Sequence, residues 1–169
     1  MDIGWSELAR YLAGAFALYL VLEGILPFLN PAAAQKLMAK LAQADPAQLR
    51  WQPSPTANSL GVIVVHLGLS ERLRLRAIGA GERMDMAWRA HMFELPEGWG
   101  VEEAVAFYRA ESARSDAVLD ATATLDPPSR GDFRPTTFRW AVVHLIEETA
   151  RHVGHMDITR ELLDGRGGR

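Results

Sequence analysis

Nowhere along this chain do apolar and polar residues alternate for long enough to make a strand, whereas long stretches repeat their apolar residues at helical spacing. From Leu60 the positions Leu60, Val64, Leu67 and Leu75 recur in this way. Asn58 or Ser59 stands ready as a cap, Glu71, Arg72, Arg74 and Arg76 read as a wet side, and Gly79 and Gly81 as the stop. A further helix is expected from Val101 to about Thr122, built on Val101, Ala104, Val105, Tyr108, Val118 and Leu119 around a charged face. Pro127-Pro128 and Gly131 break the chain, and a last helix starts near Thr136 or Thr137 and runs to Leu163, ahead of Asp164-Gly165. Asn30-Pro31 opens a short helix to Gln43, because Asn caps and Pro suits the first helical turn. The Pro- and Ser-rich stretch LRWQPSPTANSLG that follows reads as a loop. With the apolar N-terminal region supplying the first helix, broken around Pro27 and Pro31, the expectation is an all-α antiparallel four-helix bundle.

The 169 residues suit one ordinary domain. Eighteen Lys and Arg against 21 Asp and Glu give a net charge of -3, so the positive field that nucleic acid demands is missing. No cysteine is present, which removes disulfides, thiolate metal sites and a protein thiol nucleophile together. Any sulfur chemistry must bring its thiol from outside. The stretch from Gly79 to Gly100 has no sustained period, and a loop of that length reads as a pocket lid. His91 in it reads as a surface histidine or a rim residue, and the neighbouring Trp88 and Trp99 as anchors of the loop.

The chemistry concentrates in the last helix, FRWAVVHLIEETARHVGHMDITRELLDG. At about 100° per residue, His144, Glu148, His152 and His155 fall within roughly 80° of one another. Their stripe borders the apolar one formed by Val142, Leu145, Ile146, Thr149, Val153 and Met156. Glu148 and His152, four apart, can reach one ion, and His66 on the apolar face of its helix is the best third ligand. A His₂Glu set leaves positions open for water or substrate. Spacing alone leaves a second reading standing: His66 as a hydrogen-bonded core histidine, and the stripe as a solvated ridge in which Glu148 pairs with His152.

The segments LRWQPSPTANSLG, VVHLG, VEEAVAFYRAESARSDAVL and FRWAVVHLIEETARHVGHMDITRELLDG, spanning about residues 49–165, resemble the DinB-like superfamily of four-helix metalloproteins. The resemblance implies metal ligands at His66, Glu148 and His152. Many members have histidine where this chain has Glu148, and a glutamate there is similar to the mycothiol-dependent isomerases. His155 stands where many members have glutamine, so it reads as a proton shuttle, an outer partner or a fourth ligand, with His144 a second candidate for proton transfer. Also implied are a divalent ion, zinc or nickel, a small-molecule electrophile, and a low-molecular-weight thiol such as mycothiol or bacillithiol. The expected activity is metal-dependent thiol transfer or isomerisation. The alternatives are a metal-binding or sensor protein without turnover, and a membrane-anchored or scaffold protein. The superfamily's name comes from DNA-damage induction and implies no DNA binding.

Residues 1–43 depart from that pattern. Tyr11 to Leu22 carry no charge, Glu23 interrupts, and GILPFL follows. That length suits a buried helix or a membrane-associated segment over residues 11–29. A secretory signal fits poorly, since Asp2 and Glu7 stand where a positive cluster belongs. Residues 5–50, around LVLEGILPFLNP, resemble a family of very small bacterial inner-membrane proteins, whose second apolar segment this chain lacks. Packed as the first bundle helix, the segment would leave apolar surface for a homodimer to cover. The organisation expected is thus an apolar segment over 1–43, a metal-binding helical domain over 44–165 and a frayed tail over 166–169. The expected location is the cytoplasm, with inner-membrane association as the alternative.

Overall fold

The computed structural model describes residues 41–42, 44–83, 85, 87–125 and 137–165. The expectations for residues 11–29, for a helix over 31–43 (apart from helical Leu41 and Ala42), for the break at Pro127-Pro128 and for the tail fall outside the described residues. What is described is helical: α1, Pro46–Arg50; α2, Leu60–Glu71, continued as a π-helix over Arg72–Gly79; a 3₁₀ turn, Ala87–His91; α3, Val101–Asp120; and α4, Phe138–Asp164. No strand occurs among the described residues, and the all-α class holds. No helix among them is long and apolar enough to cross a membrane.

The caps explain the boundaries. Ser59 accepts from the Val62 amide at 3.3 Å and opens α2, and Thr137 accepts from the Trp140 amide at 3.1 Å and opens α4. Gly165, at φ 72°, closes α4 in the left-handed conformation that glycine adopts without strain. The loop expected over residues 49–61 is present from Trp51 to Ser59, and the short α1 takes only its first two residues. Asp45 and Gln48 form a reciprocal capping box, with Pro46 in the first turn, so the Asp-Pro pair starts a helix instead of merely ending one. Arg50 at its end donates to the carbonyls of Pro96 at 2.8 Å and Trp99 at 3.0 Å. That fastens the far end of the 80–100 loop.

α2 is the central element. Every residue from Leu60 to Ser70 is buried, including the β-branched run Val62 to Val65, whose strand preference is overridden by packing on both α3 and α4. Its continuation packs Leu73, Leu75, Ala77 and Ile78 against Phe138 and Ala141 of α4. Gly68 and Gly79 allow the close approach. A Cβ at 68 would stand 2.8 Å from Phe107, and one at 79 would collide with the Phe138 ring.

The polar end of this helix departs from the expected wet side. Arg72 and Arg76 turn onto the fully buried Glu111 of α3, and Glu71 turns inward, accepting from Ser112 at 2.9 Å. Burial pushes the Glu71 carboxyl up to about 7, against the opposing hydrogen bonds from Ser112, Ser115 and Tyr108. Because the folded pKa lies above the ordinary 4.5, the native state holds a proton that the unfolded chain releases earlier. Stability from this group is full below about pH 4.5 and is lost as pH rises through about 7. At 1.36 kcal/mol per pKa unit, the wild type should lose about 2 kcal/mol between pH 5 and pH 8 that Glu71→Gln does not lose. Chemical denaturation of both proteins at the two pH values measures this, and parallel pH dependence would refute it.

Candidate metal centre

α2 and α4 bring together three side chains from two distant parts of the sequence. His66 projects from α2 and Glu148 and His152 from successive turns of α4, with one donor atom of each lying within 4.8 Å of the others. His152 Nε2 is 3.2 Å and His66 Nε2 3.8 Å from Glu148 Oε2. Donors bound at 2.0–2.1 Å around a tetrahedral ion stand about 3.3 Å apart, so the two contacts to Glu148 are near the spacing that a divalent ion needs. Both rings are buried, His66 at 6% and His152 at 8% exposure, and their centroids are 4.6 Å apart.

The surroundings prepare the donors. Nδ1 of His66 lies 3.3 Å from the Met92 carbonyl, which can only accept, so Nδ1 carries the proton and Nε2 keeps its lone pair toward the cluster. Ser70 Oγ, 3.3 Å from that Nε2, donates to the same lone pair and would have to turn aside for an ion to take it. Burial lowers the pKa of His66, partly offset by the Glu148 charge. It lowers that of His152 too, with His66 adding to the effect. Both imidazoles are therefore held neutral at neutral pH, the form that binds metal.

Three of the five histidines stay outside the cluster. His144 lies beside it, with Nε2 3.5 Å from Glu148 Oε1 but without hydrogen-bond geometry, and its ring stacks on Trp140 at 4.8 Å and 7°. His155 is exposed, its ring 5.5 Å from that of His152. His91 is on the surface, paired with Glu94 at 2.7 Å. Its loop neighbours reach the site instead: the Met92 carbonyl holds His66, and Phe93, 56% exposed, stacks on the His66 ring at 4.3 Å. Neither was visible in the aperiodic loop sequence. The tryptophans do anchor the loop, Trp88 against the Arg72 guanidinium and Trp99 against Phe107.

Helices bearing a His–Glu–His cluster between two of their number define a DinB-like bundle with a candidate site for a divalent metal. The chain belongs to the mycothiol S-transferase family, whose model matches residues 27–165 and so begins well before residue 49. Among solved structures, a conserved protein from Enterococcus faecalis superposes with a TM-score of 0.59 at 21% identity, covering 78% of this chain and 91% of that one. At that identity the likeness concerns the fold. A comparison with curated proteins finds no match.

Proposed function

We propose that this protein is a divalent-metal-dependent transferase that joins an external low-molecular-weight thiol, mycothiol or bacillithiol, to a small electrophile. The observation that carries the reading is the meeting of His66, Glu148 and His152 within 4.8 Å, in a member of the mycothiol S-transferase family that has no cysteine of its own. These three residues would hold the ion, zinc or nickel, and when bound it would supply the positive charge that makes a neighbouring thiol acidic. The protein's own residues do the rest. His144, whose pKa burial holds below the ordinary value, and the solvent-exposed His155 would take the thiol proton and pass it outward. Phe93 and Trp140 present flat apolar surface at the rim. In a transfer, the thiol S–H proton goes to the base, the sulfur forms an S–C bond, and the leaving group departs with its electron pair. A reduced thiol of this kind belongs to the cytoplasm, where we place the protein.

The test is a fluorogenic chloromethyl electrophile mixed with mycothiol or bacillithiol and metal-loaded protein. Thiol-dependent turnover that a chelator abolishes and zinc or nickel restores is the expected result. Bound metal without turnover on either thiol would return the protein to a metal-binding role.

A further inference from the structure

Beside the metal cluster lies a cation that the described structure leaves without an anion. Arg74 sits in the π-helical continuation of α2, between Arg72 and Arg76. Residues two apart on a helix point to roughly opposite sides. Arg72 and Arg76 accordingly reach α3, where Glu111 binds both, while Arg74 turns to α4 and lies 5.4 Å from the Trp140 ring centroid. Trp140 in turn stacks on His144, which lies against Glu148. The guanidinium is thus held at the rim of the site by an aromatic face. None of the described residues gives it a hydrogen-bonded or ion-paired carboxylate, although it lies near enough to Glu148 to feel its charge. Arg89 from the 3₁₀ turn adds a second positive charge within electrostatic reach of Arg74. The contrast is with the cavity of about 360 Å³ lined by Arg72, Arg76, Asp85, Trp88 and Arg114. Its three arginines are all bonded to Glu111, and Arg76 to Glu82 as well.

We propose that Arg74 binds the carboxylate of the electrophilic substrate, so that the substrate class is a small organic acid whose reactive carbon bears the leaving group. Guanidinium is the group that pairs with a planar carboxylate through two parallel hydrogen bonds. Two partly exposed aromatic rings flank the cluster: Phe93 stacks on His66, which lies near one carboxylate oxygen of Glu148, and Trp140 stacks on His144, which lies near the other. The acid anchored at Arg74 would present its reactive carbon toward the His66, Glu148 and His152 cluster. The assignment rests on the thiol-transferase reading for its claim that the bound acid is a substrate.

Cinnamate and cinnamamide, matched in shape and differing in charge, are the probes, titrated calorimetrically into the full chain with and without zinc. Cinnamate should bind at least tenfold more tightly than the amide in both states. Arg74→Gln should erase that difference and leave amide binding unchanged, whereas Arg74→Lys, which keeps the charge but loses the planar fork, should fall between. Thermal unfolding of each variant separates lost binding from lost fold, and the comparison of the two probes on the wild type needs no variant at all. Equal affinity for the two probes, or no binding of either, would overturn the proposal. So would a preference for cinnamate that survives Arg74→Gln and disappears with zinc, because the carboxylate would then sit on the metal. Carboxylate selectivity through Arg74 without any thiol turnover would remove the transferase reading and leave the anion site standing.

Discussion

His152→Ala should lower metal affinity by more than a hundredfold, with metal content of the purified protein falling from close to one ion per chain to a trace. Removing an outer partner of a metal ligand costs about 10–100-fold. Removing a donor from a set of three should exceed that, because only His66 and Glu148 would remain. His66→Ala should match it. His155→Ala should stay within about tenfold of wild type, since that side chain is exposed and outside the cluster of donors. Elemental mass spectrometry on protein purified without a polyhistidine tag, followed by competition with a chromogenic chelator, gives all three numbers. A loss in His155→Ala as deep as in His152→Ala would move the ligand set along α4.

The part of this site that the sequence discloses is the part that lies on one helix. Glu148 and His152 are neighbours through the helical repeat alone, so their meeting needs no knowledge of the tertiary fold. His66 is different. Eighty-two residues separate it from Glu148, and its place on an apolar helix face makes it a candidate without distinguishing a ligand from a core histidine; the family resemblance favours the ligand, and the packing of α2 on α4 brings it to the cluster. Met92 and Phe93 were not legible because they act from a loop, where no period connects a residue to its neighbours in space. The arginines were misread for a more instructive reason. Three of them at alternate positions look like a solvated edge, yet Arg72 and Arg76 are drawn onto α3 by Glu111, itself hidden among the charged residues of that helix. The Asp45-Pro46 pair shows a local signal with two meanings, a stop for one helix and a capped start for the next. The bundle architecture was legible from period and breaks alone, because α2, α3 and α4 each end within a few residues of a capping or breaking residue.

Glu111 is where the largest effect on stability is expected. Its carboxylate is 0% exposed and accepts four short hydrogen bonds. Two come from Arg72, at 2.9 and 2.7 Å, one from Arg76 at 2.9 Å and one from Arg114 at 2.6 Å. Burial acts to raise its pKa, but the bonds and charges of Arg72, Arg76 and Arg114 outweigh it and hold the group below the ordinary 4.5. Glu111→Ala would leave Arg72 and Arg76 partly buried without their shared counter-charge. Breaking a buried pair in this way costs about 3–5 kcal/mol, against a total stability on the order of 5–15 kcal/mol for a domain. For a chain of this size the midpoint of thermal unfolding should fall by about 10 °C or more. Glu111→Gln, which keeps the volume and one acceptor, should lose less. The pH dependence carries the opposite sign from that of Glu71: a depressed folded pKa gives stability that is present above about pH 4.5 and lost as pH falls through the folded value. Circular dichroism melts at pH 7 and pH 4 measure both effects. A Glu111→Ala protein that melts within about 2 °C of wild type at pH 7 would show that the three arginines are hydrated well enough to do without it, and that the clamp between α2 and α3 is not what holds the π-helical segment, and Arg74 with it, in place.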